Sequence, residues 1–154
     1  MRELTENQKA ELRRRKARFD ELFQESVPVL IDFIERLELP DAWRVAHEPD
    51  LFLPAVDAWT SKQMVTPEDW VWIVTRIGYF IGYVFTERLG GHWLVDENPD
   101  SPYFAHYIVG NFTRLPKPNQ GVEPFAVAAN YLSMPPGRSL VGEIGRVESQ
   151  LWQR

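Results

Sequence analysis

The fold is decided by residues 66–91, which read TPEDWVWIVTRIGYFIGYVFTERLGG. Thr66 is a residue type that caps helix N-termini, Pro67 suits the first helical position, and two carboxylates follow near the positive end of the helix dipole. Apolar residues then recur at helical spacing on nearly every side, with a main face and a second stripe: Trp70, Ile73, Val74, Ile77, Phe80, Ile81 and Val84, then Trp72, Tyr79 and Tyr83. The pattern predicts one central helix over residues 66–89 that other elements enclose.

Two glycines, Gly78 and Gly82, lie one turn apart inside this predicted helix. A glycine in a helix interior costs about 1 kcal/mol relative to alanine, so the pair indicates that another helix or a strand crosses closely at this point. A further pair, Gly90 and Gly91, is expected to end the helix, because glycine readily adopts the left-handed conformation found at helix C-termini.

After this stop, the apolar pattern changes to that of strands. Residues 92–95 and 103–109 are rich in strand-forming types, and a turn over residues 98–102 that is rich in Asn, Pro and Asp separates them. We expect an antiparallel hairpin in the region 92–115, with room for a short third strand near residues 111–115. Because two strands are only marginally stable alone, the sheet should lie against the helices.

The N-terminal segment is helical by composition and capping. Residues 5–25 lack Gly and Pro and carry only a thin apolar stripe, which predicts a surface helix within residues 1–25. Ser26 and Pro28 suit the start of a second helix. A third, brief helix is expected over residues 50–60, where apolar residues recur at helical spacing.

The C-terminal region, residues 123–153, holds two further predicted helices. The first begins near Glu123 and Pro124, and the second begins after Ser139, a favourable capping residue. With the central helix this makes about six helices. We therefore predict an α+β fold, mostly helical around one apolar helix, in a single domain over residues 1–154.

Composition narrows the classes of function. The chain has a net charge of −5, a pI near 5.2 and no cysteine, which excludes disulfides and thiolate sites and gives no general attraction to nucleic acid. The basic run at residues 13–16 has the spacing of surface ion pairs. The apolar run at residues 70–85 is shorter than the roughly 20 residues of a membrane helix. No secretory signal is seen, so we expect a cytoplasmic protein that binds neither nucleic acid nor membrane.

The sequence contains no signature of catalysis or of a cofactor site. No serine lies in a Gly-x-Ser-x-Gly elbow, and no two histidines have the spacing of a zinc-binding helix. A hairpin symmetric about Pro99 would place His92 opposite His106, with Asp96 on the same face, and this set could hold a divalent ion. A slip of one residue removes the match. We therefore favour ordinary strand histidines and predict no catalytic residue, no metal and no cofactor.

Residues 78–147 resemble a family of small, mostly uncharacterised bacterial domains. The resemblance is carried by a helix that ends in FTERLGG at residues 85–91, a strand with Trp93, a turn, a second strand, and the sequence VEPF at residues 122–125 that opens another helix. It implies a bacterial, cytoplasmic origin. Some similar domains are encoded beside toxins or secretion genes as immunity or accessory proteins, and the resemblance brings no catalytic residue with it.

These observations predict a non-enzymatic module that binds another protein, such as an immunity protein that neutralises a partner toxin. Aromatic residues make up 13% of the chain, and an acidic turn follows the first strand. Acidic surfaces with aromatic anchors suit a basic partner. The predicted contact residues are Trp93, Asp96, Glu97, Asp100 and Tyr103.

The sequence allows two alternative functions. A small-ligand binder or an enzyme would use a pocket between the hairpin and the central helix, lined by Tyr79, Tyr83, His92 and His106. A structural homodimer would bury the spare aromatic side chains between two copies of the chain.

Overall fold

In the computed structural model, which describes residues 3–153, the chain forms five α-helices and a three-stranded antiparallel sheet. The helices are α1 (Glu6–Arg36), α2 (Leu53–Thr60), α3 (Trp70–Leu89), α4 (Pro124–Leu132) and α5 (Leu140–Gln153), and the strands are β1 (His92–Val95), β2 (Tyr107–Gly110) and β3 (Gly121–Val122), in the order β1-β2-β3. The predicted α+β class is confirmed. Residues 1, 2 and 154 of the predicted domain lie outside the described residues. Across the described range, no helix is long and apolar enough to cross a membrane.

α1 is one helix where two were predicted. It begins with a capping box in which the Thr5 hydroxyl accepts from the Gln8 amide and the Gln8 side chain accepts from the Thr5 amide. The helix continues through Pro28, although an interior proline costs about 3 kcal/mol. Packing offsets this cost, because Ser26 lies 2.6 Å from the Tyr83 hydroxyl of α3, and Leu30, Phe33 and Ile34 beyond the proline are completely buried. The predicted break at Ser26 is therefore wrong, and the six predicted helices become five.

The two halves of α1 differ in how they are held. The C-terminal half completely buries Leu30, Phe33 and Ile34. The N-terminal half is mostly exposed, as predicted for a surface helix, and one of its contacts is a 3.0 Å hydrogen bond from the Tyr107 hydroxyl to the Arg15 carbonyl. Burial of apolar side chains thus anchors the second half of the helix more strongly than the first, in which Leu12 is buried and Phe19 and Leu22 are partly buried.

α3 is the central helix that the sequence predicts, but it begins four residues later. Every residue from 77 to 85 is buried. The residues before the helix form a separate turn, in which the Asp69 amide donates to the Thr66 carbonyl over 3.1 Å. Gly90 has a left-handed backbone, with φ 69°, and ends the helix as predicted.

The glycine pair in α3 marks where two neighbouring elements approach the helix. A methyl group placed on Gly78 would lie 2.3 Å from the Phe125 ring of α4, and one placed on Gly82 would lie 1.9 Å from the Trp93 ring of β1. Neither position has room for a side chain. The predicted close crossing is confirmed, and a helix and a strand both take part in it.

The hairpin differs in register from the symmetric arrangement considered for the sequence. β1 pairs with β2 so that His92 lies opposite Gly110 and Val95 lies opposite Tyr107. β2 therefore starts four residues later than predicted, and the connection between the two strands is correspondingly longer.

This connection leaves the extended conformation before β2 begins. Residues 103–106 form turns, and Ala105 has a left-handed backbone with φ 65°. The Asp96 amide donates to the His106 carbonyl over 2.9 Å, so these two residues face each other. His92 lies at the far end of β1. This register excludes the arrangement in which both histidines and Asp96 hold a metal ion, and within residues 3–153 no group of three His, Cys, Asp or Glu could hold one.

The third strand lies at Gly121–Val122, so the prediction that placed it near residues 111–115 is wrong in position. Asn111 has a left-handed backbone, with φ 55°, and turns the chain away from the sheet. The segment then runs along the end of α3, where the Arg114 amide donates to the Leu89 carbonyl over 3.1 Å. Its backbone groups are thus satisfied by a helix end instead of a strand.

The helix predicted over residues 50–60 is divided in two. A 3-10 turn spans Pro49–Leu51, and α2 follows it and ends at Thr60 as predicted. A buried guanidinium lies beyond this end, where Arg138 donates to the carbonyls of Thr60 and Gln63. This contact ties the loop between α4 and α5 to the C-terminal end of α2.

α5 begins with caps from two elements. The Ser139 hydroxyl accepts from the Gly142 amide over 2.9 Å, which confirms the predicted cap. The Asp57 carboxylate of α2 accepts from the amides of Leu140 and Val141. A carboxylate at this place also complements the helix dipole, so α2 fixes the start of α5.

Candidate functional site

Trp93, the predicted aromatic anchor of a contact surface, is buried. It is 7% exposed and packs against the rings of Tyr79, Tyr83 and Phe125. The missing side chain at Gly82 makes room for its ring. Trp93 is therefore a core residue, and its prediction as a partner contact is corrected.

The other four residues of the predicted contact surface stay at the hairpin turn. The Asp96 carboxylate accepts from the backbone amide two residues further on, at 3.0 Å, and so shapes the turn. Glu97 forms an exposed ion pair with Lys16 of α1 at 2.7 Å. Asp100 is exposed and Tyr103 is partly exposed. Exposed ion pairs contribute little, and the acidic turn lacks the tryptophan that was expected to anchor a partner.

Two of the four residues predicted to line a ligand pocket do line a cleft. Tyr79 and His106 face it from α3 and from the hairpin connection. Tyr83 does not, because it is buried and its hydroxyl is paired with Ser26 at 2.6 Å. His92 is exposed at the far end of β1.

We name this space the α1–α4 cleft, since it lies where α1, α3, the hairpin connection and the start of α4 meet. Its volume is about 370 Å³. It is lined by Arg15, Leu22, Thr75, Tyr79, His106, Tyr107, Glu123 and Phe125. The walls thus combine aromatic and aliphatic surface with a few polar groups, as ligand sites do.

Glu123 is the buried acidic group of the cleft. Its side chain is 11% exposed, and one carboxylate oxygen accepts from the Phe125 amide at 2.9 Å, which caps α4. The other oxygen lies 3.7 Å from Nδ1 of His106. Burial raises the pKa of Glu123 above its usual value, and the α4 amides and His106 offset part of that effect. In the sequence, the only signal for this residue was an acidic side chain just before a proline at the first helical position.

Replacing Glu123 by glutamine should change how the stability of the protein depends on pH. A carboxyl whose pKa is raised by folding stabilises the protein while it is protonated, and this contribution is lost as the pH rises through the folded-state pKa. Because Glu123→Gln does not titrate, its free energy of unfolding should rise relative to the native chain above about pH 4.3, by about 1.4 kcal/mol per unit of pKa shift. Urea unfolding at a series of pH values measures the difference.

Glu143→Gln is the matched control with the opposite sign. Glu143 is buried on α5, and its hydrogen bond to Arg146 lowers the pKa of the carboxyl. A lowered pKa stabilises the protein above the unfolded-state value, and that contribution is lost as the pH falls. This variant should therefore lose stability relative to the native chain as the pH rises, and equal pH slopes for the two variants would contradict the role given to Glu123.

Arg15 supplies a cation to the cleft. Its Nε donates to Glu11 at 3.1 Å, and its guanidinium carbon lies 5.8 Å from the centre of the Tyr107 ring. Among the residues that the structure describes, its two terminal nitrogens have no hydrogen-bond partner. The guanidinium is thus oriented on one side and open on the other.

Tyr79 supplies a hydroxyl. Its ring packs edge-on against Trp93 and Phe125, which fixes its direction. Burial raises the pKa of the phenol, and the nearby charge of Glu25 adds to the rise. The hydroxyl therefore keeps its proton at neutral pH, and no acceptor for it occurs within residues 3–153.

A groove along α1 adjoins the α1–α4 cleft. It has a volume of about 760 Å³ and shares Arg15, Leu22 and Tyr107 with the cleft. The rest of its lining consists of side chains of α1, mostly charged. One helix therefore forms most of this groove, which adjoins the cleft at the three shared residues.

Comparison with known proteins assigns neither a family nor a function to the chain. No family model matches the chain, and neither a curated protein nor a solved structure matches it. The resemblance of residues 78–147 to small bacterial domains stays a prediction, as does the immunity role that it implies.

Proposed function

We propose that this protein binds a small organic ligand in the α1–α4 cleft. The observation behind the proposal is that aromatic walls meet polar groups that have no hydrogen-bond partner among residues 3–153. Arg15, Tyr79 and His106 come from three different elements, and each brings to the cleft a polar atom without a hydrogen bond to residues 3–153. Pockets that bind small molecules combine apolar walls with a few convergent groups of this kind.

Size and rigidity also support a small ligand. The volume of about 370 Å³ lies within the range of roughly 300–1,000 Å³ that is common for ligand sites. The rings of Tyr79 and Phe125 lie 5.6 Å apart in an edge-to-face contact, so they do not have to be ordered when a ligand binds. The raised pKa of the buried Glu123 is a further feature that clusters at functional sites.

Filling the cleft tests the proposal. Thr75→Trp places a large ring in the cleft from α3, and Val71→Trp, one turn earlier at an exposed position, is the matched control. In a fragment screen read by backbone amide NMR shifts, we expect fragments that bind the native chain to shift the residues that line the cleft. Thr75→Trp should abolish this binding because the ring occupies the site, and Val71→Trp should retain it.

A near-native amide spectrum of each variant establishes that it is folded. Fragments that bind Thr75→Trp as well as they bind the native chain, or that shift residues elsewhere only, would overturn the proposal.

Binding of a partner protein is the second candidate. Large apolar side chains are exposed between α1 and α2, where Trp43 is 67% and Leu51 is 58% exposed, and such surface is typical of protein contacts. This surface would replace the acidic turn as the predicted contact surface, because Trp93 is buried in the core. Co-purification from the native host tests for a partner, including a toxin, and light scattering tests for a homodimer. A chain that stays monomeric and alone in both experiments removes this candidate.

A further inference from the structure

We infer that the ligand of the α1–α4 cleft is an organic anion, a carboxylate attached to an aromatic or branched apolar body. The inference rests on the proposed function and adds the charge and the shape of the ligand. It follows from which polar atoms of the cleft are already paired and which are open.

The carboxylate of the cleft has one hydrogen-bonded oxygen and one oxygen beside a histidine. One oxygen of Glu123 accepts from the Phe125 amide at 2.9 Å, and the other lies 3.7 Å from Nδ1 of His106, too far for a hydrogen bond. The Tyr107 hydroxyl likewise has a partner, since it donates to the Arg15 carbonyl at 3.0 Å. A cationic ligand would therefore have to compete with His106 for the single carboxylate that lines the cleft.

The open groups are donors. The terminal nitrogens of Arg15 can only donate, and the Tyr79 hydroxyl keeps its proton. Neither has an acceptor in the part of the chain that the structure describes. A ring N–H of His106 can add a further donor. A carboxylate fits such a site, because it accepts two parallel hydrogen bonds from one guanidinium and has lone pairs left for a hydroxyl.

The charges around the cleft leave the assignment to Arg15 itself. The adjoining groove is lined by three arginines and three glutamates, so the preference for an anion comes from the open guanidinium of Arg15 and not from a net positive charge at the rim. Glu25 contributes a negative charge near Tyr79, but it lines the adjoining groove along α1. Solvent and salt screen exposed charges of that kind.

The rest of the cleft suits an apolar body. Leu22, Tyr107 and Phe125 supply aliphatic and aromatic surface. A cavity of about 150 Å³ is enough to bind benzene, so a cleft of about 370 Å³ has room for one ring and a short acidic chain.

Three ligands that differ mainly in charge test the inference on the full chain: phenylacetate, phenylacetamide and phenethylamine. We expect phenylacetate to bind about ten-fold more tightly than the amide, because a charge-assisted hydrogen bond is stronger than a neutral one, and we expect the amine to bind more weakly than either. Arg15→Gln should remove the preference for the acid. Arg14→Gln changes the other partner of Glu11, outside the cleft, and should keep it. Dissociation constants from NMR titrations of the cleft residues give the comparison.

The outcomes separate the inference from the proposed function. An amide or amine that binds as tightly as the acid would overturn the inference and leave the ligand site standing. An unchanged preference in Arg15→Gln would also overturn it, because Arg15 is the group assigned to the carboxylate. No shift of any cleft residue with all three compounds at millimolar concentration would overturn both.

Discussion

Gly82→Ala is expected to lower the free energy of unfolding by about 2 kcal/mol, although alanine is the better helix former. The added methyl group would lie 1.9 Å from the Trp93 ring. That ring cannot move aside easily, because Tyr79 and Phe125 pack against it. The substitution therefore forces α3 and β1 apart, and overpacking of this kind usually costs about 1–3 kcal/mol. Unfolding in guanidinium chloride measures the change.

Gly145→Ala is the matched control for this prediction. Gly145 is exposed on α5, and no atom lies within 4 Å of the methyl group that alanine would add. Here the helix propensity acts alone and should raise the free energy of unfolding by about 0.5–1 kcal/mol. Trp93→Phe in the Gly82→Ala background should recover part of the loss, since phenylalanine lacks the ring atoms that the methyl group meets. If Gly82→Ala proved as stabilising as Gly145→Ala, the close crossing would be contradicted.

Arg138→Ala is expected to have a larger effect, a loss of about 3 kcal/mol in the free energy of unfolding. The residue is 8% exposed, and its guanidinium donates to the carbonyls of Met134 at 2.9 Å, Thr60 at 2.6 Å and Gln63 at 3.1 Å. It also lies 5.8 Å from the centre of the Tyr131 ring. Removing it leaves the carbonyls of Met134 and Gln63 without their donor, leaves Thr60 with only the Gln63 amide at 3.3 Å, and removes a cation from the C-terminal end of α2. Chemical denaturation of the purified variant gives the loss.

Arg13→Ala is the control that shows what the loss of an exposed arginine does to stability. Arg13 is exposed on the N-terminal half of α1, and its variant should stay within about 0.5 kcal/mol of the native chain. Arg138→Lys should recover little, because an ammonium group cannot reach three carbonyls in the fixed geometry of a guanidinium. A loss below about 1 kcal/mol for Arg138→Ala would mean that other contacts hold the loop between α4 and α5.

Features determined by neighbouring residues could be predicted from the sequence. The helix stop at Gly90 and the cap at Ser139 depend on contacts within a few residues or on a local conformational preference. Periodicity and capping are sufficient for such features. The start of α4 after Glu123 belongs to the same class.

Features determined by contacts between residues far apart in the chain could not be predicted from the sequence. Pro28 is a break signal by local rules, yet α1 continues through it because Ser26 is held by Tyr83 of α3. The inward direction of Trp93 depends on the register of the hairpin, and a shift of one residue in a strand exchanges its two faces. The apolar residues on both faces of β1 left this choice open in the sequence.

The candidate site was predictable only in part for the same reason. The sequence predicts Tyr79 and His106 as lining residues of a pocket between the central helix and the hairpin. Arg15 was explained by surface ion pairs, and Glu123 by the start of a helix. Both explanations are correct locally, but only tertiary packing brings the two residues to one cleft.

The uneven anchoring of α1 has a consequence for how the protein fluctuates. In native-state hydrogen exchange, the amides of residues 10–25 should lose protection by fraying from the N-terminal end, at a lower free energy than those of residues 30–36 beside the buried core. Arg15 lies on the fraying side. A ligand held by its guanidinium would slow exchange there and leave the anchored half unchanged, so the first turns of this helix would report occupancy of the site.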